Sequence, residues 1–326
     1  MKVTFKDVGQ GDSIILEWES KGASKIGIID CCKHEGKNPI LDHLKALNWK
    51  SQSIDFILLS HPHYDHYSGM LELLDYCLSN NIKIERFGHS LSVEQRYLDW
   101  ANTNNKHNSR LEKLIDRVIQ MEKNGEINEI AIVAKDWSIQ LSEKHSIRSI
   151  SPSDKEWRSY TERVDVFKND RKRASKEANL FSTILIFESS EAYFLLTSDA
   201  TTEALDRILD RSISYFKDKN LVLGQVPHHG SKYNHRIQFW RKLKPEINTY
   251  VAISAGSNSN YNHPDIKVVE SFRDNDFKVY STIHRDVLNE RAERKSAILN
   301  TASNILYGTF GDQAFKIEDG IAIYLS

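Results

Sequence analysis

The stretch that decides the reading is His61-Pro62-His63-Tyr64-Asp65-His66, which follows Ser60 and the apolar run Ile54–Leu59. Three imidazoles and a carboxylate fall within six residues, directly after a segment that reads as a strand buried on both faces. Imidazole nitrogen and carboxylate oxygen are the usual ligands of Zn²⁺ and similar divalent ions. Residues two apart in an extended turn point the same way, so His61 and His63 are placed to grip one ion. Asp65 and His66 then turn toward a second, and such ion pairs lie ~3.5–4 Å apart in two-metal hydrolases. A surface histidine cluster without function is the bland alternative. One lone histidine would favour it; four ligand-type residues at HxHxDH spacing do not.

Outward from this turn, short strands and helices alternate. Val3–Val8, Ser13–Trp18 and Ile26–Asp30 are rich in β-branched and aromatic residues, with Gly9 and Gly11 marking the first turn. Ile40–Leu47 places Ile40, Leu41, Leu44 and Leu47 on one helical face, and Ser68–Leu78 reads as a helix with Ser68 as its N-cap. Further strands are expected at Phe181–Glu188 and Ala192–Thr197, joined as a hairpin, then at Leu221–Val226, Thr249–Ser254 and Ile321–Leu325, with a helix around Leu205–Leu209. Between them, residues 91–177 change character. Leu111, Leu114, Ile115, Val118 and Ile119 follow helical spacing up to Asn124-Gly125, and strand-like runs follow at Ile130–Val133 and Trp137–Leu141. The segment 155–176 carries eight basic residues against four acidic ones. It reads as a solvated face, or as a local patch for a phosphate backbone.

Three more polar clusters sit where strands end, the place where loops gather on a rigid scaffold. Asp199 follows Ala192–Thr197, where it reads as a bridging carboxylate or as a helix N-cap. His228 and His229 follow Leu221–Val226 in Pro227-His228-His229-Gly230-Ser231. One of this pair suits a metal shell, and the other suits substrate contact or proton transfer. His263, in the stretch NSNYNHP at 258–264, is a candidate for substrate contact, or part of an Asn/Ser turn.

The 326-residue chain bounds these readings. Lys and Arg number 44 against 45 Asp and Glu, so a global basic field cannot draw in nucleic acid. The three cysteines, Cys31, Cys32 and Cys77, are too few and too odd for a disulfide scaffold; Cys31 and Cys32 lack CxxC spacing and read as packing residues. The N-terminus has no apolar signal core, and no run approaches a membrane span, so a soluble cytoplasmic protein without membrane contact is expected.

HPHYDH at 61–66 resembles the signature of the metallo-β-lactamase superfamily. More narrowly, DVGQGDS at 7–13, LLTSDA at 195–200, VPHHGSK at 226–232 and NSNYNHP at 258–264 resemble, in order and spacing, motifs of the hydrolase domain of ComEC-type competence proteins. The resemblance implies an α/β fold of αββα sandwich type in one domain over residues 1–326, with 91–177 as a partly helical, locally basic insertion. It implies two divalent metal ions, Zn²⁺ or Mn²⁺. Asp65, His66, Asp199 and one of His228 and His229 would hold one ion, with His229 the favoured ligand and His228 facing substrate. His61 and His63 would hold the other, shared through Asp199. Asp12 would lie beneath, orienting a histidine ligand. The chain departs from the pattern at Asn179, which stands where many members supply a histidine; the His61/His63 ion would then be the weaker one. His89, His107 and His145 read as structural.

The function this implies is metal-dependent hydrolysis of a phosphodiester, as in a nuclease, with nucleic acid or another phosphodiester as partner. Metal-activated water would attack phosphorus. Asp65, His228 and His263 would serve catalysis, while Lys232 and Asn179 would contact substrate. The competing reading keeps the metals and replaces the substrate with a lactam, lactone or thioester; a third makes the fold a non-catalytic scaffold.

Overall fold

A computed structural model describes residues 1–50, 52–91, 95–167, 169–211, 216, 219–243, 245–257, 262–284, 287, 308–309 and 311–325. Among them the chain forms two sheets. The first runs in the order Ile321–Leu325, Gln313–Glu318, Lys2–Phe5, Ile14–Ser20, Ala23–Ile29, Phe56–Leu59, Phe87–His89 and Ile130–Ile132. It is antiparallel as far as Ala23–Ile29 and parallel beyond. The second runs Gly308–Thr309, Lys278–Ser281, Pro245–Ile253, Asn220–Gln225, Ala192–Leu196, Ile184–Glu188, Ser146–Ser151 and Ser138–Gln140. Here the parallel strands come first, and the antiparallel hairpin follows.

Strand periodicity explains the layering. Successive side chains of Phe56–Leu59 point to opposite faces. Phe56 and Leu58 pack between the sheets with Val3, Phe5, Leu185, Phe194 and Leu223. Ile57 and Leu59 face outward and are covered by Leu44, Leu73, Leu74, Leu111 and Leu114 of helices Pro39–Ala46, Met70–Ser79 and Asn105–Lys123. The second sheet does the same. Tyr193, Leu195, Val251 and Ile253 meet Leu205, Phe239, Trp240 and Phe272 from helices Thr202–Arg211, Ile237–Lys242 and Ile266–Arg273. A run apolar at every position is thus a strand with a layer on each side. The result is an αββα sandwich. Residues 91–177 belong to both halves: they supply an outermost strand to the first sheet and two to the second, besides their helices. Among the described residues, no helix is long and apolar enough to cross a membrane.

Several boundaries differ from the sequence reading. Helix Met70–Ser79 starts after Gly69, and Ser68 does not cap it; its hydroxyl accepts a hydrogen bond from the Lys33 amide at 2.8 Å. Helix Pro39–Ala46 is capped by Asn38 and buries Ile40 and Leu44, whereas Leu47 lies past the last turn and is 43% exposed. The strand expected from Phe181 begins at Ile184, because Ala178–Phe181 form a 3-10 turn. Cys31, Cys32 and Cys77 are free and buried, as packing residues are.

The second sheet depends on one missing side chain. A Cβ on Gly224 would lie 2.3 Å from Cζ3 of the fully buried Trp240. Gly224→Ala is therefore expected to cost about 1–3 kcal/mol through overpacking, seen as a lower midpoint in denaturant unfolding. Trp240→Leu should cost less in that background than in the parent protein. Strictly additive effects would contradict the contact.

Candidate metal centre

The four polar clusters converge at one end of the sandwich. From the first sheet comes the His61–His66 turn, just past Leu59; from the second come Asp199, just past Leu196, and His229, just past Gln225. His61, His66, Asp199 and His229 are all at most 3% exposed.

Each histidine is oriented by a partner on its other nitrogen. His66 Nδ1 lies 2.8 Å from Asp30 Oδ2, which as a carboxylate oxygen accepts. His229 Nδ1 donates to the carbonyl of Ser254 at 2.9 Å, and His61 Nδ1 is 3.2 Å from Ser182 Oγ. The Nε2 lone pairs of all three are left without a hydrogen-bond partner, as is Oδ1 of Asp199. Asp199 Oδ1 is 3.5 Å from both His66 Nε2 and His229 Nε2, and His229 Nε2 is 3.6 Å from Asp65 Oδ2. Two ligands on one tetrahedral Zn²⁺ sit about 3.3 Å apart, given bonds of about 2.0–2.1 Å. Buried nitrogen and oxygen atoms at this spacing call for positive charge among them, either protons on the imidazoles or a metal ion in their place. The ligand atoms of His61, His66 and Asp199 lie within 4.8 Å of one another, as do those of Asp65, His66 and His229. The donor set therefore fits divalent metal.

The remaining candidates are placed differently. The His63 ring is 4.2 Å from that of His61, but its Nε2 donates to the Ser175 carbonyl at 2.9 Å, leaving Nδ1 as its only lone pair. It stands outside the tight groups. His228 lies at the rim, its side chain 23% exposed, with Nδ1 3.5 Å from Asp199 Oδ2 and 3.2 Å from the Asn179 amide nitrogen. His263 is half-buried, its ring 5.8 Å from that of His228; residues 258–261 of its motif lie outside the described residues. Lys232 is 51% exposed, 3.9 Å from Asp265. In the 155–176 segment, Arg163 is occupied by Glu177 and Glu203, and Arg171 packs over Trp100. His89 is buried, while His107 and His145 are in part exposed; none joins the centre.

The electrostatics follow from burial against opposite charge. Burial pushes His61 well below the usual imidazole range, and the His63 ring beside it adds to this. Burial also lowers His63 and His228, against partial opposition from the carboxylates. For His66, burial is outweighed by Asp30 and Asp199, which hold it well above the ordinary value. For His229, burial is outweighed by Asp199 and by Asp65, and the ring is held up at about 9. Asp199 and Asp65 are correspondingly held low by these histidines in spite of burial.

Some positioning residues escaped the sequence reading. Asp12, expected to orient a histidine, is 3.9 Å from His66 Nδ1 and instead accepts from Gln225 Nε2 at 2.9 Å. Asp30 does the orienting. It also takes the Ser60 amide at 2.8 Å, and the Ser60 hydroxyl reaches Ser198 Oγ across to the second sheet at 2.8 Å. Oε1 of Gln225 accepts from both the Thr197 and Ser198 amides at 3.0 Å, which fixes the turn into Asp199. Asn102, 4% exposed, brackets His63: its Oδ1 accepts from the Tyr64 amide at 3.0 Å and its Nδ2 donates to the Pro62 carbonyl at 2.9 Å. The backbone at His228 and His229 is left-handed at two successive non-glycine residues, φ 50 and 55, a strained turn of the kind concentrated at functional sites. Asp30 carries a readable signal, an acid ending an apolar strand; Asn102 carries none, since its partners are 38 and 40 residues away.

A family model described as "Metallo-beta-lactamase superfamily" matches residues 7–106, the segment holding Asp12, Asp30 and the His61–His66 turn. The 7,8-dihydropterin-6-methyl-4-(beta-D-ribofuranosyl)-aminobenzene-5'-phosphate synthase of Methanocaldococcus jannaschii is 32% identical over 110 residues, 32% of this chain and 36% of that protein. The match thus spans little more than a third of the curated relative. Among solved structures, a diphosphatase from the PhnP family overlaps 98% of each chain at 10% identity and a TM-score of 0.43. Tm1679, described as a metal-dependent hydrolase of the beta-lactamase superfamily, overlaps 86% of this chain and 96% of its own at 13% identity and a TM-score of 0.45. The layered sheets with the polar turn at their end form the metallo-β-lactamase fold.

Asp30→Asn keeps the size of the side chain and removes the charge behind His66. It is expected to weaken divalent-cation affinity about 10–100-fold. Competition against a chromogenic chelator measures this, and a variant binding as tightly as the parent would show that His66 is aimed by something else.

Proposed function

We propose that the protein is a metal-dependent hydrolase of the metallo-β-lactamase superfamily that cleaves phosphodiester bonds. The observation that carries the hydrolase reading is the convergence of three buried Nε2 lone pairs on Asp199, with Asp65 beside them. The motif resemblance to ComEC-type hydrolase domains supports the choice of phosphodiester.

Divalent cations held by His61, His66, Asp199, His229 and Asp65 would supply Lewis acidity, lowering the pKa of water and offsetting charge on phosphoryl oxygens. The chain's own groups provide the rest. The Asn179 amide nitrogen can only donate, so in this contact His228 Nδ1 accepts and its Nε2 carries the proton. At the rim, that Nε2–H is a donor for a phosphoryl or leaving oxygen. Burial lowers the His228 pKa against the opposing pull of Asp199, which favours a ring that donates a hydrogen bond without adding charge. Lys232, exposed beside this loop, offers a cation to a neighbouring phosphate. The deep placement of His61, His66 and His229 keeps bulk water from competing for their lone pairs.

The parent protein supplied with Mn²⁺ or Zn²⁺ should hydrolyse bis(p-nitrophenyl) phosphate faster than a lactam, a lactone or a thioester. Asp199→Ala and His66→Ala should each lower kcat/KM at least about 100-fold, since loss of an outer partner alone costs up to that much. Preferential turnover of an acyl substrate would move the assignment to carbonyl chemistry. Turnover that survives both substitutions would remove the centre from catalysis.

A further inference from the structure

Next to the centre, the chain presents a cationic groove that the basic segment 155–176 does not provide. Helix Asn105–Lys123 sets Lys106, Arg110 and Lys113 at intervals of four and three residues, hence on one face. With His107 and Asn104 they line a groove of about 480 Å³, and no carboxylate is among its lining residues. That volume lies in the range of ligand-sized clefts. Arg110 is fixed in place: its guanidinium lies 5.3 Å from the centre of the Tyr64 ring and donates to the Tyr64 hydroxyl. The His107 ring stacks on Tyr64 at 3.9 Å and 7°. Tyr64 stands between His63 and Asp65 in the chain, so its contacts with His107 and Arg110 tie the groove to the candidate metal-ligating turn. Arg110 shares a second groove with Tyr64, Lys33 and Glu72, where the Lys33 ammonium is paired with Glu72 at 2.5 Å.

We propose that this groove holds successive phosphates of a polynucleotide strand whose scissile bond lies at the centre. The inference rests on the phosphodiesterase reading and narrows it to a polymeric substrate. Like charges at these spacings repel one another, and an anion laid along the face would relieve that repulsion. From Lys106 to Lys113 the helix rises about 10 Å, more than one phosphate group spans. A row of cations that long matches a chain of phosphates. The whole chain carries a net charge of −1, so attraction for a polyanion has to be local, and this face supplies it. Arg110 spends one donor on Tyr64 and keeps the others for phosphate oxygens.

The test uses the metal-loaded protein and a fluorescent, phosphorothioate-linked dodecathymidylate, which resists cleavage, with binding followed by anisotropy across a salt series. For Lys106→Ala/Lys113→Ala, the slope of log affinity against log salt should shrink by about 1.4, at about 0.7 per single-strand contact. The same counterion term predicts about 25-fold weaker binding at 0.1 M salt. Lys106→Arg/Lys113→Arg should restore both. Lys83→Ala/Lys144→Ala, which removes the same charge from exposed sites elsewhere, should leave the slope as it was. An unchanged slope in the groove variant, an equal drop in the control, or no binding by the parent protein overturns the proposal. The readout is binding and not turnover, so this failure stays separate from failure of the phosphodiesterase reading, which small-diester hydrolysis decides.

Discussion

Asp199 is 2% exposed, and its Oδ1 faces two imidazole nitrogens at 3.5 Å without a hydrogen bond to either. Most of the surrounding structure answers to this cluster of buried acceptors. Left to themselves, such groups would collapse onto other donors or open to water. They stay apart because each is held from behind. Asp30 holds His66, the Ser254 carbonyl holds His229, Ser182 holds His61, and Gln225 fixes the turn that delivers Asp199. Loss of any one backing group frees a ring to rotate, so the spacing is a property of the whole shell.

Much of the fold could be read directly, and the reason is periodicity. Ile54–Leu59 and Leu221–Val226 are apolar at nearly every position because layers lie on both faces, and the polar clusters follow at their ends. The errors came where chemistry outside the local window decides. Ser68 has the composition of a cap, but its hydroxyl serves Lys33, 35 residues away. Leu47 fits the apolar stripe and yet falls beyond the end of its helix.

The centre divides along the same line. Candidate ligands declare themselves by residue identity and by position after a strand, as His61, His66, Asp199 and His229 do; His63, read on the same signal, turns its Nε2 to the Ser175 carbonyl instead. Orienting groups are ordinary residues. Gln225 and Asn102 owe their role to partners brought together by tertiary structure, and nothing in their neighbours announces it. Asp12 shows the limit from the other side: it lies beneath the centre, but Gln225 occupies the carboxylate oxygen nearest His66. The segment 155–176 shows it for charge, since counting basic residues does not show that Arg163 is already neutralised by two carboxylates.

The candidate ligands are shared out between the two halves of the sandwich: His61, Asp65 and His66 from one, Asp199 and His229 from the other. Polar links cross the seam nearby as well, such as Ser60 to Ser198, Gln225 to Asp12 and His61 to Ser182. An occupied centre is therefore a rivet through both plates. When filled, it would oppose their parting at that end, so rigidity would be greatest where chemistry requires fixed distances.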